Sequence, residues 1–205
     1  MIDLYTWTTP NGRKVSIMLE ECALPYRAHR IDIGKGEQFK PDFLAVSPNG
    51  RIPGISDSDG PDGKPVSLFE SGAILVYLSG KTGRFLPTSV RGKYEALQWL
   101  MFQMGGVGPM FGQTHHFLRA APEQVPYAIE RYTKETRRLY GVLDARLANA
   151  PFLATEYSVA DIATFPWVAR HEWHKVDLAD FPNVKRWYDT IGRRPAVVRG
   201  MAVPG

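Results

Sequence analysis

The feature that most constrains this chain is that every segment with strand character lies before residue 84. Four short apolar or alternating segments are typical of β-strands, and two longer segments have helical periodicity. The strand segments are IDLYTW (2–7), YRAHRIDI (26–33), GISD (54–57) and VSLF (66–69). The helical segments are NGRKVSIMLEECAL (11–24) and ESGAILVYLSGKTG (70–83), with irregular helix before residue 46. This order, β-α-β-α-β-β-α, predicts a small α/β domain.

Only helices are predicted beyond that domain. The segment RFLPTSV (84–90) contains a proline and is typical of a linker. After it, apolar residues recur at helical spacing, as Leu139 and Leu143 do in a long charged segment. The sequence therefore predicts two domains, 1–84 and 91–205. The first is α/β and thioredoxin-like, and the second is all-α.

Charge and composition limit which binding partners and which cellular compartment the sequence predicts. The net charge of +4 is spread along the chain, which is weak support for nucleic-acid binding but favours a small anionic ligand. The single cysteine, Cys22, excludes an internal disulfide and fits a reducing compartment. The N-terminal residues lack a basic region followed by an apolar one, and no apolar run reaches the roughly 18 residues of a membrane span. We therefore expect a cytoplasmic protein that binds neither nucleic acid nor a membrane.

The segment TTPNG (8–12) lies where the first predicted strand leads into the first helix. A helix N-terminus at such a place favours an anion or a thiolate. Other reactive side chains are poorly placed: Cys22 lies late in the helix and is interpreted as a core residue, and Tyr5 lies inside the strand. His171 and His174 are spaced i, i+3 rather than the i, i+4 of a zinc-binding helix, so no metal site is predicted.

Several motifs follow one another in an order that resembles a known family. Three of them resemble glutathione transferases: SPNGRIPGI (47–55), LFESGAI (68–74) and SVADI (158–162). Four more resemble the bacterial nu class, the disulfide-bond oxidoreductase type: TTPNG (8–12), GKGEQF (34–39), GPMFGQTHHF (108–117) and PYAIERY (126–132). The resemblance covers the whole chain. It implies the glutathione transferase fold, a homodimer, and glutathione as substrate or cosubstrate without a metal.

The resemblance also implies which residues hold glutathione. It implies a cis bond between Ile52 and Pro53, although an X-Pro bond is more often trans. The backbone of Ile52 then pairs with the cysteinyl unit of the ligand as a one-residue strand addition. Ser71 follows a predicted strand and opens a helix, where its hydroxyl and the backbone N–H groups suit the γ-glutamyl carboxylate. Glu70 suits the ammonium group of the ligand, although both residues are also common at ordinary helix starts.

Two further residues are assigned to the ligand by the resemblance alone. Gln38 lies in the irregular stretch that holds the glycyl end of glutathione in the family. Arg131 lies in a charged helical segment, where most arginines are solvated, and the resemblance directs it toward the carboxylates of glutathione.

Thr9 and Asn11 are the predicted catalytic residues, because glutathione brings its own reactive thiol and needs only donors for the thiolate. A hydrogen bond to a charged group is worth roughly 1.5–3 kcal/mol, so one or two donors lower a thiol pKa of about 8.5 by about one to two units. Asn11 is also counted among the glutathione-binding residues. The resemblance also places Thr8 at what looks like the position of the serine of other classes, so which threonine contacts the sulfur stays open.

The predicted function is glutathione-dependent reduction of small disulfides by thiol–disulfide exchange, with a capacity to reduce peroxides. One alternative is an ordinary transferase that conjugates glutathione to electrophiles. Another is a non-enzymatic glutathione-binding or regulatory protein, since folds of this kind also serve as interaction modules. The predicted homodimer also has support from the helix carrying Trp99, Phe102 and Met104, which has more apolar positions than one internal face needs.

Overall fold

A computed structural model of the chain describes residues 1–205 and divides them into two compact units. The first contains Met1–Arg84 and Arg193–Gly205, and the second contains Phe85–Gly192. The first boundary agrees with the predicted linker. The prediction placed residues 193–205 in the second domain. In the structure these residues pack with the first unit and belong to it.

The strands and helices follow the predicted order. The strands are β1 (Ile2–Thr6), β2 (Tyr26–Arg30), β3 (Gly54–Asp57) and β4 (Val66–Phe69). The α-helices are α1 (Pro10–Glu21), α2 (Pro41–Leu44), α3 (Ser71–Thr82), α4 (Val90–Phe102), α5 (Gly108–His115), α6 (Pro126–Leu147), α7 (Val159–Val168), α8 (Pro182–Gly192) and α9 (Pro195–Ala202). Short 3₁₀ turns lie at Ile33–Lys35, Glu37–Phe39, Pro61–Gly63, His171–His174 and Leu178–Asp180, and π-helical turns at Gln103–Val107 and His116–Ala120. None of the helices is both long and apolar enough to span a membrane.

The first unit is built on a four-stranded sheet of order β2-β1-β3-β4. The β1–β2 pair is parallel and is connected through α1, whereas β1–β3 and β3–β4 are antiparallel. Side chains of both the sheet and the helices are fully buried, among them Leu4 and Ile55 from the strands and Met18 and Leu75 from α1 and α3. This mixed sheet with α1 and α3 confirms the predicted α/β, thioredoxin-like unit.

The C-terminal helix α9 belongs to the first unit because it packs closely on α1. A Cβ atom on Gly200 would lie 2.5 Å from the Cα of Ile17, so only glycine permits this approach. The hydroxyl of Ser16 donates to the carbonyl of Gly200 at 2.7 Å. Two ion pairs reinforce this contact. The Nε of Arg194, the N-cap of α9, lies 2.6 Å from a carboxylate oxygen of Glu21, and the Nε of Arg199 lies 2.6 Å from a carboxylate oxygen of Glu20.

The second unit is all-helical, and a buried carboxylate fixes the start of its α7. Asp161 accepts hydrogen bonds from the backbone N–H of Ser158 at 3.0 Å, the backbone N–H of Leu153 at 2.9 Å and the indole N–H of Trp187 at 2.8 Å. The hydroxyl of Ser158 in turn accepts from the backbone N–H of Ala160 at 3.2 Å. These bonds form a capping box whose acidic residue also ties α7 to a preceding loop and to α8.

We predict that Asp161→Ala lowers the free energy of unfolding by about 3–5 kcal/mol, because it leaves several buried donors without an acceptor. Urea denaturation followed by circular dichroism measures the loss. The matched control is Asp189→Ala, which removes an exposed carboxylate paired with Lys185 at 2.7 Å and should change the stability by less than about 0.5 kcal/mol. Equal effects of the two substitutions would contradict the structural role of Asp161.

Candidate functional site

Strand register brings three chain segments to one edge of the sheet in the first unit. Gly54 at the start of β3 pairs with Tyr5 near the end of β1 and with Phe69 at the end of β4. The chain beyond β1, the chain before β3 and the chain after β4 therefore all lie at this edge. These are the segments 7–11, 52–53 and 70–71, which contain six of the eight predicted site residues.

Thr9 is the N-cap of α1, and this role leaves its donor available. Its backbone is extended, with φ −104° and ψ 159°, and its hydroxyl oxygen accepts from the backbone N–H of Gly12 at 3.2 Å. A threonine hydroxyl has one O–H donor in addition to two acceptor positions, so capping does not use the donor. The chain can turn this tightly because Gly12 has no Cβ, which would lie 2.5 Å from the carbonyl oxygen of Trp7.

Asn11 and Thr8 flank this capping residue. Asn11 lies in the first turn of α1 and is half-buried, whereas Thr8 precedes the cap and is exposed. Asn11 and Thr9 thus share the helix N-terminus, where backbone N–H groups and the helix dipole favour negative charge.

The second segment carries the predicted backbone contact. The bond between Ile52 and Pro53 is cis, as the resemblance implied. Pro53 is buried and Ile52 is half-buried, directly before β3.

The third segment has unusual backbone geometry. Glu70, between β4 and α3, has φ 68° and ψ 106°, a region that non-glycine residues rarely occupy. Backbone strain of this kind costs of order 1–3 kcal/mol and clusters at ligand-binding sites. The side chain of Glu70 is exposed, whereas that of Ser71 is buried. The carboxylate of Glu70 therefore faces solvent beside the N-terminus of α3.

Lys14 is a polar residue of this region that the sequence reasoning missed. It is 1% exposed, and its ammonium donates to the hydroxyl oxygen of Ser71 at 3.3 Å. Burial lowers the pKa of Lys14 to about 7, and the nearby charge of Glu70 opposes this shift. A signal was present in the sequence, since Lys14 lies one helical turn before Met18 on the apolar face of α1.

The remaining two predicted residues lie apart in the chain. Gln38 belongs to the turn Glu37–Phe39, and its side-chain oxygen is buried without a hydrogen-bond partner, as suits an atom that a ligand would satisfy. Arg131 lies on α6 of the second unit, where it is exposed and lines an open groove of about 640 Å³ with Tyr127 and Tyr132. The predicted roles of Gln38 and Arg131 stay predictions.

The side chains that the sequence analysis set aside have packing contacts. Tyr5 stacks on His29 with ring centroids 4.9 Å apart. His174 is 1% exposed beside Phe111, and burial lowers the pKa of its imidazole to about 3. No group of three or more His, Cys, Asp or Glu side chains in residues 1–205 is arranged to hold a metal ion.

Comparison with known families identifies both parts of the chain. Residues 8–81 match the family model described as "Glutathione S-transferase, N-terminal domain". Residues 108–195 match the model described as "Glutathione S-transferase, C-terminal domain".

Individual relatives cover nearly the full length. The "Disulfide-bond oxidoreductase YfcG" of Escherichia coli K12 is 56% identical over 198 residues, which are 96% of this chain and 92% of that protein. A glutathione transferase of Burkholderia graminis, solved with two glutathione molecules per subunit, is 49% identical with a TM-score of 0.93, over 99% of this chain and 88% of its own. One from Pseudomonas putida, solved with one glutathione disulfide per subunit, is 45% identical with a TM-score of 0.94, over 100% and 92%.

Cys22 allows a direct test of whether the chain's own sulfur is reactive. It is 8% exposed, its sulfur lies 3.5 Å from the hydroxyl of Thr82, and burial raises the pKa of its thiol. We predict that a chromogenic aromatic disulfide labels the folded chain at least about tenfold more slowly than the chain unfolded in urea. Cys22→Ala should lose at most about 1–2 kcal/mol of stability. Immediate stoichiometric labelling of the folded chain would show that a reactive thiol had been overlooked.

Proposed function

Because this chain belongs to the glutathione S-transferase family, we propose that it uses the thiolate of bound glutathione to reduce small disulfides. The observation that carries the proposal is the site at the sheet edge, where Thr9 and Asn11 offer donors at a helix N-terminus and no chain thiol is present. The nucleophilic sulfur must therefore come from the ligand. We expect Cys22→Ala to retain disulfide reduction in full.

The proposed reaction consists of two exchanges. The glutathione thiolate attacks one sulfur of the substrate disulfide, which forms a mixed disulfide and releases one substrate thiolate. A second glutathione thiolate attacks the glutathione sulfur of the mixed disulfide, which gives glutathione disulfide and releases the other substrate thiolate. Each released thiolate takes a proton from solvent, so two glutathiones and one disulfide become glutathione disulfide and two thiols.

The bound species in the relatives fit this stoichiometry. The B. graminis protein contains two glutathione molecules per subunit, and the P. putida protein contains one glutathione disulfide. Two thiols and one disulfide are the reduced and oxidised forms of the same pair, so a site that accommodates both suits the second exchange. We propose that the site of this chain accommodates the same two states.

We assign the ends of glutathione to the segments at the sheet edge. The backbone of Ile52, before Pro53, pairs with the cysteinyl unit, which places the ligand sulfur beside the N-terminus of α1. Ser71 and the N-terminus of α3 bind the γ-glutamyl carboxylate, and the carboxylate of Glu70 binds the ammonium group.

The remaining contacts are assigned to residues farther along the chain. The side chain of Gln38 binds the glycyl unit of glutathione. Its NH₂ group donates to the glycyl carboxylate, and its buried side-chain oxygen accepts from the glycyl N–H. Arg131 binds a carboxylate of glutathione through its guanidinium group.

The two alternative functions differ from this one in a measurable way. A conjugating transferase would turn over aryl halides faster than disulfides, and a binding protein would retain glutathione without turnover. The same activated thiolate can also reduce peroxides, which we expect as a secondary activity.

The single cysteine, found buried, supports a reducing cytoplasm as the location.

A homodimer is part of the proposal, and α4 has the surface for it. Trp99 packs edge-on against Phe102 at 5.4 Å, and both side chains are half-buried. The exposed apolar residues of α4 are instead Val90, Tyr94 and Met101, with exposed fractions of 74%, 65% and 55%. Their spacing of four and seven residues places them on one face of the helix, which suits an interface between two copies.

We predict that Thr9→Ala and Asn11→Ala raise the pKa of the bound thiol and slow disulfide reduction, while glutathione binding changes only a few-fold. Losing about 2 kcal/mol of charge-assisted hydrogen bonding corresponds to roughly thirty-fold in rate below the new pKa. The loss should shrink at higher pH, where the thiol ionises without help. The measurement is the pH–rate profile of disulfide reduction for each variant.

Two further substitutions of Thr9 separate its activation of the thiol from its capping of α1. Thr9→Ser keeps both the donor and the cap and should be nearly neutral. Thr9→Asp keeps the cap but has no donor when ionised, so the protein should stay folded while the rate falls. A normal rate in Thr9→Asp would show that Thr9 acts only as a cap. Unshifted profiles in both alanine variants would place the thiolate elsewhere, and Thr8→Ala would then be tested.

We predict that the protein sediments at twice the 23.0 kDa mass of one chain at micromolar concentration. Tyr94→Glu and Met101→Glu should shift the equilibrium toward monomer, because each places a charge in the apolar face of α4. Val198→Glu, at a 57% exposed position of α9, is the control and should leave the mass unchanged. A clean monomer for the wild type would refute the dimer.

A further inference from the structure

Trp7 and Arg30 form a pair at the sheet edge that the proposed function does not use. The register of the parallel strands pairs Thr6, the last residue of β1, with Arg30, the last residue of β2. Trp7 follows Thr6 and is half-buried, whereas Arg30 is exposed. The guanidinium carbon of Arg30 lies 4.6 Å from the centre of the Trp7 ring, within the range of a cation–π contact. An exposed cation is therefore held beside the segment 7–11.

The backbone of Trp7 is packed against the first turn of α1. Its carbonyl oxygen accepts a hydrogen bond from the backbone N–H of Thr9 at 2.7 Å. A Cβ atom on Gly12 would lie 2.5 Å from the same oxygen, so no space is left between Trp7 and the helix. Trp7 therefore links Arg30 to the helix N-terminus at which we place the sulfur of glutathione.

The charge of Arg30 is not neutralised by a neighbouring carboxylate. Two carboxylates follow it in the chain, but the ammonium of Lys35 lies 3.6 Å from Asp32 and that of Lys40 lies 2.9 Å from Glu37. Arg30 contacts Trp7 and forms no ion pair. Most exposed arginines are hydrated, so exposure alone indicates no site. Arg30 differs from these because an aromatic ring holds its side chain at the edge of the sheet.

The strand order places Arg30 on the far side of β1 from the proposed contacts of Ile52 and Ser71 with glutathione. The order is β2-β1-β3-β4, and α1 begins after β1. Ile52 precedes β3 and Ser71 follows β4, whereas Arg30 ends β2. Neighbouring strands are about 4.8 Å apart, so the backbone of Arg30 lies about one strand spacing from β1. A disulfide approaches the sulfur from a side that glutathione does not occupy, and Arg30 borders that side.

We propose that Arg30, held by Trp7, is a specificity-determining residue that selects disulfides bearing a carboxylate near the S–S bond. The guanidinium group presents its N–H donors in a planar fork that matches a carboxylate. A substrate of this class places its disulfide at the glutathione thiolate and its carboxylate on Arg30. The inference rests on the proposed function, because it assumes that the glutathione thiolate lies at the N-terminus of α1.

A second anion close to Arg30 is the glycyl carboxylate of glutathione, because Gln38, which we assign to that end, also follows β2. In the proposed function Gln38 and Arg131 already bind the carboxylates of glutathione, which leaves Arg30 to the substrate. The two roles differ kinetically. Binding of the substrate carboxylate favours charged disulfides, whereas binding of the glycyl carboxylate lowers the KM for glutathione with every disulfide.

The experiment uses two disulfides of the same shape and different charge. Dithiodipropionate carries a carboxylate at each end, and its diamide is neutral. The preference is the ratio of kcat/KM for the dianion to that for the diamide, divided by the same ratio for uncatalysed reduction by glutathione. We expect Arg30→Gln to lower kcat/KM for the dianion about three- to tenfold, because one partly exposed charge-assisted contact is lost. The kcat/KM for the diamide and the KM for glutathione should not change.

Arg27→Gln is the matched control. Arg27 is exposed on the same strand, and its register partner is Asp3, so it lies about 10 Å along the strand from Arg30. The substitution removes the same charge from the protein and should leave the preference for dithiodipropionate unchanged. An equal loss of preference in both variants would show that only the net charge matters and would overturn the inference.

Trp7→Leu tests whether the aromatic ring holds the guanidinium group. Leucine is apolar but has no π face, so the preference should fall, and Arg30→Gln should then cost less than it does in the wild type. The wild type alone gives a further check. Its preference should fall as the salt concentration rises, because the field of an exposed charge is screened.

The outcomes separate the inference from the proposed function. An Arg30→Gln variant that keeps the wild-type preference would overturn the inference and leave the proposed function intact. A rise in the KM for glutathione with both disulfides would also overturn it, because Arg30 would then bind the glycyl carboxylate. Failure of the wild type to reduce either disulfide would contradict the proposed function and the inference together.

Discussion

The register of β3 between its two neighbours determines which chain segments meet at the candidate site. Gly54 pairs with both Tyr5 and Phe69, so three separate chain segments leave the sheet at one edge. A slip of one residue would move every side chain of β3 to the opposite face, and burial of Leu4 and Ile55 opposes such a slip. The proposed ligand contacts are therefore positioned by strands rather than by a mobile loop.

The N-termini of two helices, α1 and α3, lie at that edge. In the proposed function the N-terminus of α1, capped by Thr9, binds the sulfur, and the N-terminus of α3, which begins at Ser71, binds the carboxylate. Lys14, which belongs to α1, donates to the hydroxyl of Ser71, the first residue of α3. On this proposal binding and activation depend on different side chains, so we expect substitutions to affect one and spare the other.

The sequence alone predicted the parts of the fold that local patterns determine. GISD and VSLF were assigned to strands with the bounds that the structure has, because turn residues limit each short run. The order of strands and helices along the first unit followed from these local patterns, and the family followed from the order of the motifs. The register that brings the three segments together could be anticipated only through the resemblance.

What the sequence did not predict depends on tertiary partners. The helix Pro195–Ala202 has an apolar face like its neighbours, and nothing local reveals that this face packs on α1. Lys14 was passed over because burial of a lysine is decided by the groups around it, and the backbone of Glu70 is equally invisible in the residue type. The surplus of apolar positions was predicted from Trp99, Phe102 and Met104, and in the structure Trp99 and Phe102 pack against each other.

Activation of a thiol that the ligand supplies is the step by which we propose that this protein works. Titrating the ultraviolet absorbance of the thiolate of glutathione bound to the wild-type protein tests it directly. We expect the bound thiol to ionise about one to two pH units below the value of about 8.5 for a free thiol. A bound thiol that titrates like free glutathione would contradict it.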